Sequence, residues 1–217
     1  MVGRVIFFVV LLIASGANAA ERIMGLVEVP AVYGNIPRGA EGPVTLFAEP
    51  SIQAEVAAVV REWGHLEYRT VNAEQVAAVV YDYKITDGIW YKVRYSDGKK
   101  SMYAWLSGAA TDQFSLYYQI LSGRMTYFTA AWDKRVYQSP SVSAPFKQFD
   151  QFGEHTDVRV ADVRNMGENL DPWFLVVILQ KSNCAFGDEG TTIIATGWVP
   201  GYAESGSETI WHYAAGC

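Results

Sequence analysis

Residues 88–106, GIWYKVRYSDGKKSMYAWL, leave little room for anything but a β-hairpin. Trp90 to Tyr95 alternates: Tyr91, Val93 and Tyr95 face one way, Trp90, Lys92 and Arg94 the other. Strand side chains repeat every two residues, so this pattern predicts one buried and one wet face. Asp97-Gly98 predicts a two-residue type I′ turn, which needs positive φ at both central positions. Residues 101–106 form the returning strand. In the strand before the hairpin, Val79, Tyr81, Tyr83 and Ile85 alternate onto one face, and Thr86-Asp87-Gly88 turns the chain into Trp90.

The hairpin has a second copy. Val44-Thr-Leu-Phe-Ala-Glu-Pro-Ser51 parallels Lys134-Arg-Val-Tyr-Gln-Ser-Pro-Ser141. Trp90-Tyr-Lys-Val-Arg-Tyr95 parallels Trp173-Phe-Leu-Val-Val-Ile178, and Ala104-Trp-Leu-Ser-Gly108 parallels Gly197-Trp-Val-Pro-Gly201. Three landmarks in one order predict two copies of a small β unit. The copies differ: residues 174–179 are apolar on both faces, which marks a strand covered on both sides. The first unit or the tail, residues 201–217 with Ile210, Trp211 and Tyr213, is the expected cover.

Between these landmarks the signals are weaker. Ile52, Val56, Val59, Val60 and Trp63 have helical spacing, yet the run is β-branched. The phrase AEVAAVV at 54–60 recurs almost intact at 73–80, where the alternating tyrosines that follow decide for strand; both are read as strands. Residues 20–43, broken by Pro and Gly, predict a loop-rich entry with one edge strand, from signals at 26–29 and 31–33. Residues 107–112 are the expected linker, 114–121 are apolar without a clear period, and 125–132 read as a strand closed by an Asp133-Lys134 turn.

The first 19 residues read as a signal peptide: Arg4, an apolar run from Val5 to Ala14 too short to cross a bilayer, then Ala17-Asn18-Ala19 as cleavage site. No stable membrane anchor is expected after cleavage, and the protein is expected to be periplasmic or secreted. The chain carries 17 basic and 23 acidic residues with no basic cluster, which argues against nucleic acid as a partner. Its two cysteines, Cys184 and Cys217, are expected to form a disulfide, the default for an exported chain.

Catalytic constellations are hard to find. There is no G-x-S-x-G elbow, and His65, His155 and His212 stand in no HExxH or HxH spacing. Cys184 with His155 or His212 is the one nucleophile–base pair to consider, and it matches no known nucleophile context. Asp162, Asn165, Glu168, Asn169 and Asp171 surround Gly167 without EF-hand spacing and read as a polar loop. The expectation is therefore no enzyme, no metal and no cofactor. The aromatics carry the binding hypothesis: Tyr81, Tyr83, Trp90, Tyr103 and Trp105 come from neighbouring strands, about half for the core and half for an exposed groove, with Trp90 foremost.

Gly88-Ile-Trp-Tyr-Lys-Val-Arg94, Ser96-Asp-Gly-Lys99 and Ala104-Trp-Leu106 resemble the bacterial SH3 (SH3b) family, in its G-x-W-Y-K-V strand, short hairpin turn and closing G-W-[VIL] strand. The second copy matches at Trp173-Phe174, Val176 and Gly197-Trp198-Val199, with a longer loop for the turn. The family's Gly before the opening Pro is Glu49 in one copy and Ser139 in the other, and Ala104 stands where Gly is usual. The resemblance implies an all-β chain of two tandem small SH3-like barrels, residues 20–110 and 120–217, the second with a longer loop and a disulfide-tied tail. It implies a non-catalytic binding protein of the bacterial envelope that recognises a cell-wall peptide or peptidoglycan fragment. The alternative is a scaffold or inhibitory partner of another envelope protein, with no small ligand.

Overall fold

A computed structural model describes residues 21–29, 43–61, 63–72, 75–166, 171–180 and 192–214. The proposed leader and both cysteines lie outside these residues, as do the strand signal at 31–33 and Glu168 and Asn169 of the polar loop.

The chain is all-β, in two antiparallel sheets. The first contains β1 (Gly25–Val27), β2 (Val44–Phe47), β3 (Val56–Val60), β4 (Tyr68–Asn72), β5 (Gln75–Ile85), β6 (Ile89–Ser96), β7 (Ser101–Ser107) and β8 (Phe114–Leu116). A short helix, α1 (Tyr117–Leu121), leads into the second sheet. That sheet contains β9 (Thr126–Phe128), β10 (Arg135–Tyr137), β11 (Phe146–Gln148), β12 (Asp157–Met166), β13 (Asp171–Leu179), β14 (Ile193–Pro200) and β15 (Ile210–His212).

The strand order is β3-β2-β7-β6-β5-β1-β8 in the first sheet and β11-β10-β14-β13-β12-β9-β15 in the second. These are the same path, with β4 added beside β5 in the first copy. The repeat read from three landmarks thus extends to seven strands. It also extends to single hydrogen bonds. At the Pro-Ser turns, Ser51 N–H donates to the Glu49 carbonyl at 2.8 Å and Ser141 N–H to the Ser139 carbonyl at 2.7 Å. Trp90 meets Phe47 edge-on at 5.5 Å, and Trp173 meets Tyr137 edge-on at 5.5 Å.

Each sheet curls about its own core. Val60 of β3 and Phe114 of β8, at opposite ends of the first path, meet in one cluster with Leu46, Val80, Tyr91, Val93, Tyr95 and Leu106. In the second copy, Val136, Val158, Phe174, Val176, Ile178, Val199 and Ile210 form the core, which joins β10 to β15 and leaves β11 outside. Among the described residues the two ends of neither path pair with each other.

Several local expectations need correction. The hairpin loop is four residues long, with Ser96 paired to Ser101, and only Gly98 is left-handed, at φ 88°. The Asp97 carboxylate does the rest, accepting from the N–H of Lys99 (2.8 Å) and Lys100 (3.0 Å). β1 is no edge strand: it lies buried between β5 and β8. Residues 107–112 do not end the first unit, because β8 returns to pair with β1. The strand read at 125–132 spans only Thr126–Phe128. The tail adds an edge strand, β15 on β9, and the outer face of β13 is covered as expected, with Trp173, Val177 and Leu179 buried.

Tyr81 and Tyr83 do not share a face. A bulge at Tyr81 shifts the register, from Val80 opposite Val93 to Asp82 opposite Lys92. Tyr81 therefore packs with Val79 on the outer side, while Tyr83 turns to the core and meets Phe114 at 5.8 Å. The second copy has the same bulge at Ala161, between Val160 opposite Val176 and Asp162 opposite Leu175. In both, the bulge carboxylate accepts the next N–H, Asp82 from Tyr83 and Asp162 from Val163, each at 2.8 Å.

The closing motifs pass very close to the neighbouring strands. A Cβ on Gly108 would lie 2.8 Å from the Ile89 carbonyl oxygen, and one on Gly201 would lie 2.8 Å from that of Pro172. Backbone cannot yield as a side-chain end does. Gly108→Ala and Gly201→Ala should each lower stability by about 1–3 kcal/mol, read as a lower urea midpoint at unchanged slope.

Candidate functional site

Two places in the molecule bring chemistry together: the outer face of β5, β6 and β7, and a cleft between the sheets. The outer face holds four of the five aromatics proposed from the sequence. Tyr81 and Tyr103 meet edge-on at 5.2 Å. The three cations of this face lie over its rings: Lys84 Nζ 5.5 Å from the Trp105 ring centre, Lys92 Nζ 4.9 Å from Tyr103, and Arg94 Cζ 5.3 Å from Tyr81.

Glu67, just before β4, ties this cluster together. One of its carboxylate oxygens accepts both the Tyr81 hydroxyl and Arg94 Nε, each at 2.5 Å. Burial, reinforced by this carboxylate, pushes the Tyr81 phenol far above its usual range. Burial works against the Arg94 charge, but the hydrogen bond to Glu67 and the neighbouring phenols outweigh it and hold the proton more firmly than usual. Tyr103 is pushed up to about 12, by burial first and then by its hydrogen bond to Glu21.

Trp90 is not exposed. It is 2% accessible, its Nε1 donates to Asp87 Oδ1 at 3.0 Å, and Phe47 closes its other side. The alternation places Trp90 correctly on the outer face; what covers that face comes from β2 and the preceding turn. Tyr83 points to the core. The five residues are thus divided, and the rings that remain outside are already capped by the chain's own cations.

The cleft is the larger feature, about 890 Å³. One wall is β1 and β8 with α1, the other the β12 bulge at Val160–Val163. Leu26, Ala77, Phe114, Ile120 and Val160 supply apolar lining. The polar lining is rich in amides and hydroxyls: Gln75, Gln113, Gln119, Ser115 and Ser122, with Glu28, Asp162 and Arg124. Some of these groups are oriented by the chain itself. Gln75 Nε2 donates to Glu28, and Gln119 Oε1 accepts the Leu116 N–H at 2.9 Å.

At one corner the sheets are pinned together. The Val71 carbonyl accepts Arg124 Nη1 at 2.6 Å, and His212 Nε2 lies 3.1 Å from the same oxygen. A carbonyl only accepts, so His212 carries its proton on Nε2. The ring is 1% accessible, and its Nδ1 has no hydrogen-bond partner among the described residues. Nothing in the sequence singled out Glu67, Val71 or the cleft glutamines. The alternation of Leu66, Tyr68 and Thr70 could have revealed β4, and with it Glu67.

The remaining candidates are plain. His155 is exposed and 3.7 Å from Glu154; His65 Nδ1 sits 3.0 Å from the Ser96 carbonyl oxygen. Asp171 pairs with Arg22. Among the described residues no cluster of His, Cys, Asp and Glu could hold a metal, and no helix is long and apolar enough to cross a membrane. The sequence matches no protein-family model, no curated protein and no solved structure.

Burial lowers the pKa of His212 below its usual 6.5. The imidazole then takes up a proton more readily in the unfolded chain than in the folded one. The resulting loss of stability is absent well above 6.5 and grows as pH falls below it. Urea midpoints should fall between about pH 7.5 and about pH 5.5, and His212→Gln, which keeps a donor for Val71, should flatten that slope.

Proposed function

We propose that this chain is an exported, non-catalytic binding protein of the bacterial envelope, built as two tandem SH3b-like barrels, that holds a peptide or peptidoglycan fragment in the cleft between them. The observation that carries this reading is the cleft itself. A volume of about 890 Å³ is suited to a ligand of modest size, and the lining mixes apolar side chains with amide and hydroxyl groups. Such a lining pairs with the amides of a peptide and the hydroxyls and acetamido groups of an amino sugar. The SH3b resemblance over residues 43–108 and 134–201 supports the choice of cell-wall chemistry, and the leader read at 1–19 supports export.

The cleft is preferred to the aromatic face for a physical reason. A sugar or peptide group stacking on Tyr81, Tyr103 or Trp105 would first have to displace Arg94, Lys92 or Lys84. The cleft asks for no such rearrangement.

The test is cosedimentation with purified peptidoglycan sacculi. Ala161→Tyr would fill the cleft wall without changing the frame, because the first copy carries Tyr81 at the same bulge. The protein should pellet with sacculi, and Ala161→Tyr should weaken this by at least about tenfold while the melting temperature stays near wild type. No pelleting of the wild-type protein would sink the cell-wall reading. Undiminished pelleting by Ala161→Tyr, with loss in Trp105→Ala, would move the site to the aromatic face.

A further inference from the structure

We propose that β3 is a self-association edge: two copies of this chain pair β3 with β3, antiparallel about Ala58, and so join their first sheets across a twofold axis. The inference does not depend on what the cleft binds.

The starting point is a pentapeptide that occurs twice. Val-Ala-Ala-Val-Val is residues 56–60 in β3 and residues 76–80 in β5. In β5 it is an interior strand: Ala78 pairs with Tyr68 of β4 on one side and with Val27 of β1 on the other. Ala77 to Val80 are at most 1% accessible there. In β3 the same residues pair, among the described residues, with β2 alone, and Val56 and Val59 are 50% and 49% accessible. A sequence suited to pairing on both sides lies with one side open, and an open apolar edge is a template for another strand.

The second copy shows what a guarded edge looks like on this frame. β11 occupies the same place at the end of its sheet, yet Pro145 precedes it and Lys147 sits mid-strand. Proline and lysine are the usual protections of an exposed edge. From Val56 to Val60 there is neither.

The charges at its ends select a second copy as the occupant. Glu55 stands immediately before β3 and Arg61 immediately after it, both exposed. Antiparallel pairing about Ala58 sets Glu55 of each chain opposite Arg61 of the other, so the ion pair forms twice. It also sets Val56 opposite Val60 and Ala57 opposite Val59. This is the self-complementary pattern of an isologous interface. In-register parallel pairing would oppose Glu55 to Glu55 and Arg61 to Arg61. Beside Val59, Val60 and Arg61 a groove of about 310 Å³, walled by Tyr95 and Asp97, leaves room for Val56 of the second copy. Asp97 is already engaged by its own loop. Ile52, 68% accessible on the turn before the strand, extends the apolar surface.

Sedimentation velocity on the purified protein, from about 1 to about 100 µM, tests the pairing through a charge-swap cycle. The wild-type protein should show a monomer–dimer equilibrium in this range. Glu55→Arg and Arg61→Glu should each raise the dimer dissociation constant by at least about tenfold, by setting like charges opposite each other. The double variant should return it to near the wild-type value. Ala57→Lys, at an exposed position of the strand, should also abolish the dimer, with an unchanged far-ultraviolet circular dichroism spectrum. A wild-type protein monomeric throughout overturns the proposal. So does a dimer indifferent to the single swaps and to Ala57→Lys, or a natively folded double variant that stays monomeric.

Discussion

Tyr117 belongs to both halves of the molecule, and their relative placement depends on it. Its backbone N–H donates to the Met24 carbonyl at 2.9 Å, extending the first sheet's β1–β8 ladder. Its side chain enters the second core, edge-on to Phe174 and stacked on Trp211, and its hydroxyl donates to the Ile210 carbonyl at 2.5 Å. Burial pushes the phenol far above its usual pKa, so the hydroxyl stays a neutral donor where a phenolate would have no water. The helix that carries it has five residues, too few to be stable alone. Packing on both sides maintains it. Tyr202, whose hydroxyl donates to the Ile23 carbonyl at 2.5 Å, and the pair on the Val71 carbonyl repeat the arrangement elsewhere. The cleft has a defined width because these contacts, and not a flexible linker, set the distance between its walls.

The sequence revealed the parts of this structure that are local and repeated. The landmarks at Trp90 and Trp105 lie on β6 and β7 and recur on β13 and β14, and the Pro-Ser turns follow β2 and β10. It misled where one residue broke a count. Alternation carried through Tyr81 as if the strand were regular, and the bulge there reverses every face beyond it. It misled again where a face predicted to be outside is covered from afar, as Phe47 covers Trp90. The strand signal at 26–29 found β1, but its place inside the sheet was hidden for another reason. Gly25 looks like a loop residue, yet it is what lets β8 come close, since a Cβ there would collide with the Ser115 carbonyl. The cleft was not legible at all. Gln75, Gln113, Gln119 and Ala161 come from four separate segments, and no spacing in the chain announces that they meet.

Comparing the two copies explains where the cleft comes from. Both keep the edge-on aromatic pair and a cation over the closing tryptophan, Lys84 on Trp105 and Arg164 on Trp198. They part company on the outer face of the hairpin, where Lys92 and Arg94 of the first copy correspond to Leu175 and Val177 of the second. They part most sharply at the bulge. In the first copy the bulge carries Tyr81, and the ring packs beside Val79 and engages Glu67 and Arg94. In the second it carries Ala161, and the volume a tyrosine ring would take is left open toward β8 and α1. The two copies share one strand path; a large side chain at one bulge and a methyl at the other make one outer face a closed polar cluster and the other the wall of a cavity.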